Sequence, residues 1–264
     1  MDVKSKAYQE LLKKRPLNVQ ARFANEEMGL VSGRDIAAAA KKCDSIVLAA
    51  NARHPLVVKG VLRAAKKKNA AVLIELAKSE STYCGSTYDN LADYALKYST
   101  ELGHGAVFGL HVDHYAIKSE ADVLKGVGHL TKILNSGFTS VAIDASHLED
   151  YDNFAATRAL AGWLPPELGL EVEVGEIKGP GELSTVEEAT YYIGGLNAWQ
   201  IFPDYLAISN GSLHGTYDPA VGQMEGIDLT RTKEIADAIA PYGVAIAQHG
   251  ISGTPLDKVS TFRK

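Results

Sequence analysis

Cysteine is scarce in this sequence. Two residues of 264, Cys43 and Cys84, cannot build a disulfide framework, and nothing in their spacing pairs them or makes a zinc clip. That usage fits a reducing cytoplasm. A basic excess is also missing: 27 Lys and Arg stand against 32 Asp and Glu, a net charge of −5. A surface made for nucleic acid or anionic lipid needs the opposite balance, so neither partner is expected. No apolar run approaches the roughly 20 residues that span a bilayer. The first residues, Met1-Asp2-Val3-Lys4-Ser5-Lys6, lack the apolar centre of a secretory signal. Internal repeats, low-complexity tracts and linkers are absent too. What is left is a globular composition, 46% hydrophobic and 22% charged.

What the chain does have is rhythm. Short apolar runs alternate with longer amphipathic segments from about residue 44 onward. Strands are expected at Ser45–Ala50, Ala71–Ala77, Ala106–Val112, Thr139–Asp144, Leu170–Val174, Tyr205–Ser209 and Val244–Gln248. Helical patterns fall between them, near 55–68, 88–102, 119–136, 151–164, 185–197, 229–240 and 255–261. Steady alternation means crossover connections and a parallel sheet. Strands such as Ala-Val-Phe-Gly-Leu read as continuous apolar runs, which suits burial on both faces. The expected fold is an α/β TIM barrel in one catalytic domain, 44–264. An N-terminal helical extension, 1–43, precedes it, with helical patterns at 5–14 and 33–42 and a stretch, Leu17–Phe23, that could form a strand. A closed barrel has eight strands and seven are counted here, so the eighth is expected to be missing from this chain.

The polar residues that stand out lie at or just beyond the carboxyl ends of these strands, where barrels build their sites. The third strand closes on His111-Val112-Asp113-His114, and the fourth on Asp144-Ala145-Ser146-His147. The fifth carries Glu171-Val172-Glu173-Val174-Gly175, followed by a Gly-rich loop to Glu182. The sixth leads into Asn210-Gly211-Ser212-Leu213-His214-Gly215 and the seventh into His249-Gly250-Ile251-Ser252-Gly253. Asp113 and His114 cannot share a face in regular β structure, because successive side chains alternate. A lone histidine at a strand end is usually a packed structural residue. Three of them, from different strands and with carboxylates between, make a metal shell of the kind catalytic zinc uses.

These five segments, in this order and at these intervals, resemble the class II fructose-bisphosphate aldolase family, which includes tagatose-bisphosphate aldolases. The resemblance runs from the third strand to the seventh; residues 1–100 share only the rhythm. It implies zinc ligation by His114, His214 and His249, and acid–base work by Asp113. Glu182 would match the family's proton-transferring Glu. Asp144 and Glu173 would be carboxylates near a second or alternative position, for a divalent or monovalent cation. Gly215, Gly250, Ser252 and Gly253 would cradle a phosphate. The implied enzyme is a zinc-dependent lyase of glycolysis and carbohydrate metabolism that cleaves a ketose phosphate, above all fructose 1,6-bisphosphate. It is expected to be cytoplasmic and homo-oligomeric. His111 and His147 read as supporting or packing residues.

The sequence departs from that family in places. The eighth-strand Asn/Asp/Thr segment and the basic residue for the distal phosphate are not found. No cation follows Gly215 in Thr216-Tyr217-Asp218-Pro219, Ile251 replaces a usual Gly, and Glu75-Leu76-Ala77 stands where the family tends to show Ser. Two other readings remain at this point. One is a Schiff-base aldolase, which needs a desolvated lysine near a strand end, where only Lys78 and Lys178 qualify. The other is a metal-binding relative without catalysis.

Overall fold

The computed structural model describes residues 1–175, 183–212, 227–251 and 254. The chain divides into two compact units. The first comprises Met1–Tyr115, Leu124–Ala142 and Leu164–Gly169; the second comprises Ala116–Val123, Ile143–Trp163 and Leu170–Lys264. Elements run α1 (Lys6–Lys13), α2 (Leu17–Arg22), β1 (Gly29–Leu30), α3 (Gly33–Lys42), β2 (Ala49–Asn51), α4 (Pro55–Lys68) and β3 (Ala71–Ala77). They continue with α5 (Leu91–Glu101), β4 (Val107–Ala116), α6 (Glu120–Asn135), β5 (Ser140–Asp144), α7 (Asp150–Ala161) and β6 (Gly169–Val174). The last are α8 (Val186–Ala198), β7 (Tyr205–Ile208), α9 (Leu229–Ile239) and β8 (Ala245–Ala247).

Within the first unit, β2 pairs with β3 and β3 with β4, all parallel; the β3–β4 register runs from Ala71↔Val107 to Ala77↔Asp113. Thr139 N donates to Leu110 O, and Gly169 N to Thr139 O, which carries the ladder through β5 to the start of β6. In the second unit β6, β7 and β8 pair in parallel. Within each unit the paired strands therefore lie in chain order. Every residue of β5 and β6 is buried, as parallel strands covered on both faces should be. This is the strand–helix alternation of a TIM-type α/β fold, with a strand near each of the seven expected places. The first is Ala49–Asn51 instead of Ser45–Ala50, with Ile46 and Leu48 exposed before it, and the third runs on to Ala116. An eighth barrel strand is not among the described residues.

Local chemistry explains the boundaries. Helix α4 starts where His54 Nδ1 accepts the Leu56 N–H and Pro55 presets the first turn; it stops at Asn69, left-handed at φ 52°. Its Lys66 reaches across to accept a structural duty at the end of α5, donating to Leu102 O at 2.6 Å and Gly103 O at 3.2 Å. Lys67 and Lys68 are exposed.

Two features of the first 43 residues differ from the pattern. Leu17–Phe23, which could have been a strand, is helix α2 with Phe23 as its C-cap. Asn18 ties it down by donating to Leu134 O and Phe138 O, and Val19 is fully buried. Strand β1, only two residues long, pairs with β4 at Val107 and Phe108. A two-residue strand has no periodicity to read. The helix expected at 255–261 lies outside the described residues.

Candidate metal centre

Strand β4 is where the first unit carries its chemistry. His114 lies inside that strand with φ 42°, a left-handed conformation that histidine adopts at a cost of roughly 1–3 kcal/mol. The twist breaks the alternation that regular β structure imposes. Asp113 and His114, neighbours in sequence, are both half-buried instead of one in and one out. Lys78 N donates to Asp113 O at 3.1 Å, which extends the contact between the two strands beyond β3.

Beside Asp113 stand two further groups. The carboxylate oxygens of Glu75 and Asp113 and a ring nitrogen of His111 lie within 4.8 Å of one another. His111 is buried, 2% exposed, and its Nδ1 is 2.8 Å from Ser140 Oγ. The reading of His111 as a packing or supporting residue is thus sharpened: it is packed, and it also faces two carboxylates.

The second unit carries a different arrangement. His249, just past β8, places Nε2 2.8 Å from Glu171 Oε1 on β6. An ionised carboxylate only accepts, so Nε2 carries the proton and Nδ1 has the lone pair that a metal takes. This is how ligating histidines are commonly oriented. Gln248 Nε2 donates to His249 O at 2.8 Å and is itself paired with Asn210, whose Nδ2 donates to Gln248 Oε1 at 2.7 Å. The sequence pattern and the family resemblance single out Glu173 on this strand and assign no role to Glu171. Residues two apart on a strand share a face, so that period marked Glu171 as plainly as Glu173.

Asp144 and Glu173 are buried, 5% and 4% exposed. Asp144 Oδ1 accepts from Ser146 N at 3.1 Å and Ser146 Oγ at 2.6 Å. Asn153 Nδ2 donates to Glu173 O at 3.0 Å. Burial, and after it the charges of Asp144 and Glu173, push the Tyr192 hydroxyl above its usual range, against a hydrogen bond to Thr157. Tyr192 therefore keeps its one proton, with its Oη 3.0 Å from the acceptor Asn153 Oδ1 and 2.8 Å from the Thr157 hydroxyl. The donor sets of the two units are imidazole and carboxylate, which suit zinc and similar divalent ions.

Gly250 is left-handed at φ 66°, a turn that glycine makes at no steric cost. Glu182, His214, Gly215, Ser252 and Gly253 lie outside the described residues, as does Lys178. Lys78 is half-buried, with Nζ 4.1 Å from the centre of the Tyr115 ring. His147 is exposed.

This chain belongs to the class II fructose-bisphosphate aldolase family: the family model, described as "Fructose-bisphosphate aldolase class-II", matches residues 31–264. It is accordingly an aldolase, a carbon–carbon lyase of carbohydrate metabolism whose family acts on sugar phosphates. A fructose-bisphosphate aldolase of Streptococcus pyogenes serotype M3 is 28% identical over 243 residues, covering 88% of this chain and 74% of the relative. One from Thermus caldophilus is 28% identical over 241 residues, covering 89% and 72%. Among solved structures, the Campylobacter jejuni fructose-bisphosphate aldolase superposes with a TM-score of 0.68 at 20% identity, over 88% of this chain and 73% of that one. The YdjI aldolase of Escherichia coli K12 gives 0.67 at 17%, over 88% and 76%. These two likenesses speak for the fold.

Proposed function

We propose that this aldolase holds a zinc ion through His114, His214 and His249 and reversibly cleaves a ketose bisphosphate, above all fructose 1,6-bisphosphate. The products are dihydroxyacetone phosphate and an aldehyde such as glyceraldehyde 3-phosphate. The observation that supports this most is the His249–Glu171 pair, an imidazole whose second nitrogen a buried carboxylate orients. Asp144 and Glu173 serve a second divalent or a monovalent cation. Residues 44–264 form the catalytic domain and 1–43 its helical extension. The setting we assign is glycolysis in the cytoplasm, in a homo-oligomer.

When bound, the metal would supply a Lewis acid that stabilises the negative charge developing on the substrate, worth roughly several kcal/mol. The remaining chemistry falls to side chains. Asp113 takes the proton from the hydroxyl whose carbon becomes the aldehyde. As the carbon–carbon bond breaks, its electron pair stays with the carbon next to the ketone. Glu182 then delivers a proton to that carbon. Each proton transfer of this kind contributes about 10²–10⁴-fold. Gly215, Gly250, Ser252 and Gly253 hold a phosphate, with glycine allowing backbone N–H groups a close approach.

Metal analysis of the wild type, His114→Ala, His214→Ala and His249→Ala, together with cleavage assays on several ketose bisphosphates, tests this. We expect about one zinc per chain at the three-ligand site, loss of that zinc in each variant, and loss of cleavage with it. Cleavage that survives a chelator and is trapped by borohydride in the presence of substrate would instead indicate a Schiff-base mechanism. Metal binding without cleavage would indicate a relative that has lost catalysis.

A further inference from the structure

We infer that Glu75 is a positioning residue that, together with His111, fixes the carboxylate of Asp113. The inference rests on the acid–base role proposed for Asp113. Strands β3 and β4 are in register, with Glu75 opposite His111 and Ala77 opposite Asp113. Partners across a parallel ladder point to the same side, and residues two apart on a strand share a face. Glu75, Ala77, His111 and Asp113 therefore project together. Ala77 offers only a methyl group opposite Asp113, which leaves room for the longer Glu75 side chain to extend toward it. The result is two carboxylates and an imidazole nitrogen within 4.8 Å of one another.

His111 is the rigid member of the group. It is 2% exposed, and its Nδ1 is 2.8 Å from Ser140 Oγ on the next strand, so the ring cannot swing without breaking that bond. A ring nitrogen lies within 4.8 Å of oxygens of both carboxylates, and with Nδ1 taken by Ser140 we assign that place to Nε2. Two carboxylates this close repel unless a donor stands between them. A proton on Nε2 provides that donor, and the Glu75 charge favours the tautomer that carries it. The same charge repels Asp113, which leaves Asp113 one favoured orientation, with one oxygen at Nε2–H and the other directed toward the strand end. Glu75 lies one ladder step earlier than Asp113, so it is the anchor and Asp113 the group that meets substrate. No part of the metal shell is needed for this division of labour.

The test compares the zinc-loaded wild type, Glu75→Gln and Glu75→Leu by kcat, KM, zinc content and the ¹⁵N spectrum of the His111 ring. Displacing a reacting group by about 1 Å can cost about 10²-fold. We expect Glu75→Leu to lower kcat by about that factor. KM and zinc content should stay as in the wild type, and the ring should become a mixture of tautomers. Glu75→Gln keeps an acceptor but not the charge, and should recover part of the loss. Wild-type kcat in both variants, or zinc lost along with activity, would overturn the inference. A wild type that cleaves no ketose bisphosphate would refute the proposed function instead. The ¹⁵N spectrum would then judge Glu75 alone, and identical His111 tautomers in all three proteins would overturn its role.

Discussion

His114 shows how much one backbone angle does for this molecule. At φ 42° it sits where a side chain with a Cβ is strained, inside a strand and beside Asp113. The strain lets two consecutive polar residues serve the same region, which a regular strand forbids. Glycine reaches that conformation without penalty, so His114→Gly should be more stable without metal than His114→Ala by about 1 kcal/mol. Both should have lost zinc. Urea midpoints of the chelated proteins check this, and equal midpoints would mean that the backbone is relaxed. The presence of Asp113 and His114 on this strand was legible in the sequence, although the strand continues past them to Ala116; their shared exposure was not, because it depends on an angle that no residue pattern encodes. In the sequence Glu75 stands out only as part of a departure from the family's pattern. Its neighbourhood with His111 and Asp113 follows from the β3–β4 register, which is a pairing between strands and has no signature within either.

The elements themselves were easier to read. Parallel strands buried on both faces leave continuous apolar runs, as β5 and β6 do; β2 and β8 are not buried, and the run Ile46–Leu48, exposed at Ile46 and Leu48, precedes its strand instead of forming it. Helix starts were equally plain: Thr185 and Glu188 form a reciprocal capping box at α8. Replacing Thr185 by Ala should cost about 1 kcal/mol, read as a lower thermal midpoint with unchanged zinc content. Failures came where periodicity is too short to exist, as in β1, or where a polar anchor decides, as with Asn18 in α2. Helix α6 carries a pH-dependent contact of its own. Burial first, then the charges of Lys78 and Lys132, lower the pKa of His129, and Tyr115 Oη lies 2.9 Å from its Nδ1. Below the unfolded value of about 6.5 the unfolded chain takes up a proton before the folded one does. Stability is therefore lost as pH falls through that value. The urea midpoint should drop more between about pH 7.5 and 5.5 in the wild type than in His129→Gln; parallel drops would show that His129 is not responsible.

At the scale of the whole molecule, composition excluded more than it identified. A net charge of −5 makes a polyanion an unfavourable partner, and among the described residues no helix is long and apolar enough to cross a membrane. The family assignment then makes sugar phosphates the natural substrates. The central claim is that this aldolase generates a carbanion equivalent with metal assistance, and the half-reaction isolates it. Incubated in D₂O with dihydroxyacetone phosphate and no aldehyde, the zinc-loaded protein should exchange one carbon-bound proton for deuterium, followed by ¹H NMR. Chelation should stop the exchange, and zinc should restore it. Exchange that continues at full rate in the metal-free protein would contradict the account.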